Sequence, residues 1–160
     1  MKSKICSFAG HADIFTNKEG LKEKVTDIAT RLIENENVDT FYNGGKGAFD
    51  LLCVSVVEKL KKKYTGIRSH LILSYIPGEK KESDKEFYSN FDNIIYPGLE
   101  RIPPRYAILK RNEWMIDNSD FLIAYVGHNW GGAYKTLQYA KKKNHITTYN
   151  IYDQENANEK

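Results

Sequence analysis

The sequence predicts an α/β protein in which a mainly parallel, five-stranded sheet lies between two layers of helices. Short apolar segments alternate with segments of about ten or more residues that have helical periodicity, a pattern typical of parallel sheets. Glycine-rich turns follow three of the apolar segments, and open α/β sheets bind their ligands at such turns. The chain of 160 residues fits one domain. We expect that domain to cover residues 1–152, with a polar tail at residues 153–160.

The strands are predicted from short runs of apolar, β-branched and aromatic residues that are bounded by turn residues. In chain order they are residues 4–9 (KICSFA), 38–42, 69–76 (SHLILSYI), 121–126 and 145–151. The third is the clearest and the last is the weakest. If the first strand is central and the fourth lies beside it, the loops that follow them diverge and leave a crevice for a ligand.

The helices are predicted from apolar residues that recur at helical spacing. They cover about residues 18–34, 48–64, 106–118 and 133–143. The second helix ends in a Lys-rich turn, which suits the negative end of a helix dipole. Pro103-Pro104 offers a start for the third helix, because proline is favoured at the first helical position.

The third helix is expected to turn its polar side towards the crevice. Its predicted core-facing residues are Ile108, Leu109, Met115 and Ile116. Arg111 and Asn112 are then left on the more exposed side, from which a guanidinium can reach a bound anion. The preceding residues 77–104 contain several Pro and Gly turns and one short extended piece at 93–96, and long loops of this kind are often lids or binding loops.

Composition limits the partners. The net charge of +3 is small, and the stretch EKKESDKE at residues 79–86 mixes both signs, which argues against nucleic acid. Cys6 and Cys53 fall within a predicted strand and a predicted helix and are interpreted as reduced, buried thiols. Since the sequence has no apolar run long enough to span a bilayer and no recognisable signal peptide, we expect no membrane partner and a cytoplasmic location.

Three groups of residues together resemble a known family. They are Phe8-Ala9-Gly10-His11, the glycine-rich turn that leads to Asp50, and the stretch from Arg111-Asn112 through Met115 and Ser119-Asp120 to Gly131-Gly132. This combination resembles the SLOG superfamily, which includes the Smf/DprA proteins and the Lonely-Guy enzymes. The chain is most similar to the small, stand-alone bacterial proteins of the YpsA-like branch, from residue 5 to residue 151.

The resemblance implies a Rossmann-like fold that binds a nucleotide or a nucleotide-derived small molecule. With the glycine turns, it predicts a set of ligand-binding residues. These are Gly10, His11, Asn43, Gly44, Gly45, Gly47, Asp50, Arg111, Asn112, Gly131, Gly132 and Gln138. Members of the superfamily commonly pair through helices, so the resemblance also implies a homodimer or higher homo-oligomer that uses the helix at residues 106–118.

The chain departs from the Lonely-Guy pattern where that pattern carries catalysis. Tyr134, Lys135 and Gln138 stand where the resemblance implies a third glycine, a threonine and the catalytic glutamate. Cleavage of an N-glycosidic bond needs a carboxylate, and the amide of Gln138 can hydrogen-bond a ribose hydroxyl but cannot act as a base. The favoured hypothesis is therefore a binding protein, for sensing or sequestration, with no catalytic residue.

The alternative hypothesis is an enzyme that acts on a nucleotide N-glycosidic bond, by hydrolysis or by deoxyribosyl transfer. Asp50 would then supply the carboxylate. The preferred interpretation of Asp50 is structural, because an aspartate in a first helical turn is more often an electrostatic partner of the helix N-terminus. A third hypothesis, single-stranded DNA binding in the manner of DprA, lacks the basic groove that it would need.

Other conspicuous residues leave alternatives open. His11 and His128 both follow predicted strands, so a paired role in ligand binding or proton transfer is conceivable, although loop histidines without a role are at least as common. Trp130 and Tyr42 are able to stack on a base or to pack in a core or an interface. The histidines and cysteines have no metal-ligand spacing, so we predict no metal and no cofactor.

Overall fold

The computed structural model describes residues 2–78 and 81–152 of the chain. Within these residues six strands and five helices follow one another. They are β1 (Lys4–Gly10), α1 (Lys18–Glu36), β2 (Val38–Asn43), α2 (Ala48–Lys63), β3 (Arg68–Ile72), α3 (Glu82–Tyr88), β4 (Asn93–Ile95), α4 (Pro104–Asp117), β5 (Phe121–Tyr125), α5 (Gly131–Lys141) and β6 (Thr147–Asn150). The predicted polar tail at residues 153–160 lies outside the described residues.

The strands form one sheet in the order β4-β3-β2-β1-β5-β6, and every neighbouring pair is parallel. The α/β class and the parallel sheet are therefore confirmed, with β1 central and β5 beside it as expected. The described sheet has six strands rather than five. The difference arises at residues 93–96, where β4 pairs with β3 and His70 lies opposite Asn93.

Helices cover both faces of the sheet, and side chains of successive strand residues point into the two apolar layers alternately. On β5, Ile123 packs in the cluster that contains residues of α1 and α2. Its neighbours Leu122 and Ala124 pack with Leu137 and Ala140 of α5 on the opposite face. Both cysteines are buried and unpaired, as the sequence predicted.

Helix α4 begins at Pro104 and buries Met115 and Ile116, as expected, but Ala107 and Arg111 take the buried places that were predicted for Ile108 and Leu109. Ala107, Arg111 and Met115 are buried, and residues four apart share one face of a helix. Ile108 is 48% exposed, which corrects its assignment to the core. Arg111 is only 2% exposed, which corrects its placement on the exposed side. The reason is that its guanidinium finds backbone acceptors at the edge of the sheet.

The segment between β3 and α4 also differs from the expected loop. Strand β3 ends at Ile72, so Tyr75 and Ile76 extend beyond the sheet and are exposed. Helix α3 follows within the predicted loop and buries none of its residues, so it has no apolar periodicity to reveal it. Among the helices of the described residues, none combines the length and the apolar character that crossing a membrane requires.

Candidate functional site

A cavity of about 730 Å³ opens at the carboxyl edge of the sheet, beside the point where the strand order reverses between β1 and β5. Its volume is in the range of small-molecule sites. The loops after β1, β2 and β5 contribute to its walls, together with α4. The predicted residues that line it are Gly10, His11, Gly47, Asp50, Arg111, Asn112, Gly131 and Gly132.

Four other predicted residues do not line the cavity: Asn43, Gly44, Gly45 and Gln138. Asn43 instead shapes the turn after β2, because its Nδ2 donates to the Asp50 backbone oxygen at 2.9 Å and its Oδ1 accepts from Gly45 N–H at 2.7 Å. Gly45 has a φ of +69°, which favours glycine. These residues therefore fix the conformation of the turn after β2, which forms part of the cavity wall, without lining the cavity themselves.

Arg111 reaches the cavity from α4 but is tied to the sheet. Its Nη1 donates to the backbone oxygens of Gly44 and Ile72, each at 2.9 Å, and so joins the ends of β2 and β3. Burial lowers the pKa of Arg111, while the charge of Asp50 acts to raise it. A Cβ at Gly44 would lie 2.7 Å from the guanidinium carbon, so the glycine leaves the space that the arginine fills.

A polar chain connects Arg111 to the start of α5. Nε of Arg111 donates to Oδ1 of Asn112 at 2.8 Å, and Nδ2 of Asn112 donates to Oγ1 of Thr136 at 3.2 Å. Thr136 in turn donates to the backbone oxygen of Gly132 at 2.9 Å. Sequence reasoning missed Thr136, whose signal is its position four residues after Gly132, on the same helix face. The chain fixes the first turn of α5 against α4.

In the part of the chain that the structure describes, the first backbone N–H groups of α5 have no hydrogen-bond partner, and Gly131 and Gly132, with which the helix begins, line the cavity. Within the described residues α5 has no side-chain N-cap, and Gly131 has a φ of +89°. By contrast, the first N–H groups of α2 are already bonded, since Ala48 donates to Ala12 at 2.8 Å and Phe49 to His11 at 3.4 Å. Helix N-termini attract anions through free N–H groups. An anion in this cavity is therefore best placed at α5.

Asp50 is buried at the start of α2 and lines the cavity. Its Oδ2 accepts from Lys46 N–H at 3.2 Å, in the turn that precedes α2. Burial raises the pKa of Asp50 to about 7, against the opposing effects of the Arg111 charge and the Lys46 N–H. Near neutral pH the carboxyl group is thus divided between its protonated and ionised forms.

Three rings form a column at the mouth of the cavity. His11 stacks on His128 with 3.9 Å between ring centroids, and His128 stacks on Trp130 at 3.8 Å. Gly127 N–H donates to Nε2 of His11 at 2.8 Å, which requires that nitrogen to be unprotonated. Burial, and then the neighbouring His128, lower the pKa of His11. Tyr42 lies elsewhere, in a cluster with Met115 on the α4 side of the sheet.

Several lining residues had not been singled out from the sequence, namely Phe15, Lys46, Tyr125 and Tyr152. Lys46 could have been found, because it lies within a glycine-rich turn. Phe15 carries no such signal, since its segment has no periodicity. Among the described residues, no group of three or more His, Cys, Asp or Glu side chains could hold a metal ion.

The Ser119-Asp120 pair of the family-like motif lies away from the cavity, before β5. Oγ of Ser119 is 2.6 Å from Oγ of Ser7, and Oδ2 of Asp120 accepts from Ile5 N–H at 2.9 Å. These contacts fasten β5 to β1. The pair therefore has a structural role in the sheet, whereas Arg111 of the same motif lines the cavity.

The fold and the cavity define a Rossmann-like α/β protein with a small-molecule crevice at the switch point of its sheet. The chain belongs to the SLOG superfamily, because the family model YpsA, described as "YspA SLOG family", matches residues 11–156. It is similar to YoqJ, an uncharacterized SPbeta prophage-derived protein of Bacillus subtilis (strain 168). The two are 28% identical over 138 residues, which cover 76% of this chain and 81% of YoqJ.

Solved structures share the fold. DNA processing protein A (DprA) from Streptococcus pneumoniae aligns with a TM-score of 0.62 and 13% identity, over 91% of this chain and 48% of that one. DprA from Helicobacter pylori, described as binding single-stranded DNA, aligns with a TM-score of 0.58 and 16% identity, over 87% of this chain and 61% of that one. The structure of TM1055 aligns with a TM-score of 0.54 and 14% identity, over 94% of this chain and 79% of that one. This chain thus spans about half to three fifths of the DprA proteins.

Proposed function

We propose that this protein binds a nucleotide or a nucleotide-derived small molecule in the cavity, for sensing or sequestration rather than turnover. The observation that carries the proposal is the free N-terminus of α5, where Gly131 and Gly132 open onto a cavity of about 730 Å³. Backbone N–H groups and the positive end of the helix dipole together favour a phosphate.

Side chains around the cavity add positive charge to that site. Lys46 and Arg111 both line it. Within the described residues, the hydrogen bonds of Arg111 use Nε and Nη1 and leave Nη2 for a ligand. Charge-assisted hydrogen bonds from a guanidinium to phosphate are among the stronger polar contacts in proteins. A phosphate at α5 would therefore be held from two sides.

A ligand screen by thermal shift tests the proposal. The panel contains nucleoside mono- and diphosphates, ADP-ribose derivatives and cyclic nucleotides, with a short single-stranded oligonucleotide as a further arm. A ligand at a hundredfold excess over its Kd stabilises the native state by about 2.7 kcal/mol, which is roughly 5–10 °C for a chain of this size. We expect a nucleotide to give such a shift, and binding of the oligonucleotide alone would instead favour nucleic acid.

Gly132→Val is the sharpest variant for the phosphate site. A Cβ at Gly132 meets no atom within 4 Å, so the first atom of a side chain has space there in the free protein, and a melting curve checks that the variant is folded. In the complex, a β-branched side chain would hold the phosphate away from the backbone, and we expect binding to weaken about tenfold or more, at about 1.4 kcal/mol per tenfold. Gly131→Val is less informative, because the φ of +89° at Gly131 makes any side chain strained.

Gly78→Val is the matched control, since a Cβ there also meets no atom within 4 Å and Gly78 does not line the cavity. Its ligand affinity in calorimetry should equal that of the wild type. Equal affinities for Gly132→Val and the wild type would reject the placement of the phosphate at α5. A wild-type protein that binds no member of the panel would reject the proposed function.

One observation favours the enzyme as a second candidate. Asp50 lines the cavity and has a pKa of about 7, which suits general acid or base catalysis near neutral pH. Chromatography of purine and pyrimidine monophosphates after incubation with the protein tests this candidate. The binding proposal expects no free base. Release of free base that Asp50→Asn abolishes would assign the reaction to Asp50.

We also propose that the protein is a homo-oligomer and that it is located in the cytoplasm. Pairing through α4 would use the exposed side of that helix, where Tyr106 and Ile108 lie, and Ile108 also lines the cavity. Light scattering of the purified protein would measure the oligomeric state. A cytoplasmic location is consistent with a phosphorylated small molecule as ligand.

A further inference from the structure

We infer that Trp130 is a stacking platform for the base of the ligand, so that the cavity selects phosphates that carry a planar heteroaromatic ring over sugar phosphates. The inference rests on the proposed function and specifies its ligand class. It depends on the column of His11, His128 and Trp130 and on the exposure of its outermost ring.

The geometry of the column is that of face-to-face stacking. The planes of His11 and His128 meet at 15°, and those of His128 and Trp130 meet at 14°, with centroids less than 4 Å apart in both pairs. One face of the indole is thus covered by His128. Trp130 nevertheless remains 67% exposed, so the rest of its surface is available to a further ring.

Hydrogen bonds hold the column in place before any ligand arrives. Gly127 N–H donates to Nε2 of His11 at 2.8 Å, which ties the loop after β5 to the loop after β1. Nδ1 of His128 donates to the backbone oxygen of Trp130 at 2.9 Å, which fixes the imidazole beneath the indole. A preorganised aromatic surface binds with less loss of conformational entropy than a mobile one.

Packing within the fold does not account for a tryptophan at position 130. It belongs to none of the three apolar clusters formed by the described residues. An indole that is held by its neighbours and yet left in contact with solvent is a feature of binding surfaces. Phe15, which is 95% exposed, lines the same cavity and adds a second aromatic ring at its mouth.

The position of Trp130 would also allow a single nucleotide to contact both the indole and the N-terminus of α5. Trp130 directly precedes Gly131, and both line the cavity. A phosphate at the N-terminus of α5 and a base on the indole would then belong to the same ligand. Stacking tolerates any base, because every base has a π face. The platform therefore selects for the presence of a base and not for its identity.

Two matched variants test the platform. Trp130→Ala removes the ring and Trp130→Phe keeps one, and both are compared with the wild type in calorimetric titrations with AMP, GMP, CMP and ribose 5-phosphate. We expect the three nucleotides to bind about tenfold to hundredfold more weakly to Trp130→Ala, which is the range for loss of one stacked base. Trp130→Phe should stay within a few fold of the wild type, and ribose 5-phosphate should bind all three proteins equally.

Fluorescence gives an independent readout, because Trp114 and Trp130 are the two tryptophans of the chain. In Trp114→Phe the remaining indole is Trp130. AMP should quench its emission through direct stacking, whereas ribose 5-phosphate should not. Unchanged emission on saturation with AMP would overturn the platform.

The calorimetric outcomes separate the two proposals. Nucleotides that bind equally to Trp130→Ala and the wild type would overturn the platform and leave the proposed function intact. Equal losses for nucleotides and ribose 5-phosphate would also overturn it, since Trp130 would then act through the shape of the loop. A wild-type protein that binds neither ribose 5-phosphate nor any member of the thermal-shift panel would overturn both proposals. Melting curves of each variant establish that it is folded, and the fluorescence titration of Trp114→Phe decides the matter if Trp130→Ala is not.

Discussion

Arg111 connects the interior of the protein to its cavity with a single side chain. Its Nη1 bridges the ends of β2 and β3 through Gly44 and Ile72, and its Nε is bonded to Asn112. The buried charge is compensated by these acceptors and by the nearby carboxyl group of Asp50. Because a buried charge is tolerated only when it is paired and hydrogen-bonded, the same contacts that shape the site also stabilise the fold.

Arg111→Ala should therefore destabilise the protein as well as weaken ligand binding. We expect the free energy of unfolding to fall by roughly 2–5 kcal/mol, because the change removes charged hydrogen bonds and opens a cavity. Arg111→Lys should be intermediate, since one ammonium cannot reproduce the planar fork. Denaturant unfolding measures both variants.

Arg105→Ala is the control on the same helix. Arg105 is exposed and lies over the ring of Tyr106, so its loss should change stability by no more than about 0.5 kcal/mol. Wild-type stability in Arg111→Ala would contradict the bridging role that the structure gives to this side chain.

At the scale of elements, β1 and α2 approach so closely that a glycine is required between them. A Cβ on Gly10 would lie 2.3 Å from the ring of Phe49, which is fully buried. Gly10 also lines the cavity, but its packing alone accounts for the absence of a side chain. The approach brings the loop after β1 over the start of α2, where His11 and Ala12 accept the first N–H groups of that helix.

Gly10→Ala should destabilise the protein by about 1–3 kcal/mol through overpacking. Combining it with Phe49→Leu should recover part of that loss, because the smaller side chain leaves space for the new methyl group. A double-mutant cycle in denaturant unfolding measures this coupling. Additive effects of the two changes would show that the contact is not the cause, and Gly78→Ala provides a glycine control in open space.

The elements that sequence predicted are those with a local apolar pattern. β1, β2 and β5 are buried runs next to glycine turns, and their signals depend only on neighbouring residues. Helix α3 buries no residue, so no apolar periodicity predicts it, and β4 has only three residues, so residues 93–96 were predicted as a short extended piece within a loop and not as a strand of the sheet. The place of β4 in the sheet depends on its pairing with β3, which no local pattern of residues 93–96 reveals.

The site was predictable to a similar degree. Glycine turns that follow parallel strands must meet at one edge, which brings Gly10, Gly47 and Gly131 around one cavity. On α4, Met115 and Ile116 are buried as predicted, but Arg111 was wrongly placed on the exposed side, because periodicity treats arginine as an outward residue and cannot foresee the acceptors at Gly44 and Ile72. Long-range contacts of this kind are absent from any local pattern.

At the scale of the whole molecule, titratable groups near the cavity give stability two opposing dependences on pH. Burial raises the pKa of Asp50 from 3.8 to about 7, so the folded state holds this proton more tightly than the unfolded state does. Its contribution is fully present below about pH 3.8 and is lost as pH rises through about 7. The pKa of His11 lies below its ordinary 6.5, so its contribution is present above that pH and is lost as pH falls.

Asp50→Asn isolates the first of these dependences, because asparagine resembles the protonated carboxyl group at every pH and still offers an oxygen to Lys46 N–H. The stability of the variant minus that of the wild type should rise as pH increases from 4 to 8, while the contribution of His11 cancels in the difference. At about 1.4 kcal/mol per pKa unit, the shift from 3.8 to about 7 sets an upper limit of about 4 kcal/mol on the rise. Denaturant unfolding of both proteins at several pH values measures the difference. A difference that stays flat or falls with pH would mean that Asp50 is ionised in the folded protein throughout this range, and that its carboxylate is a permanent partner of Arg111.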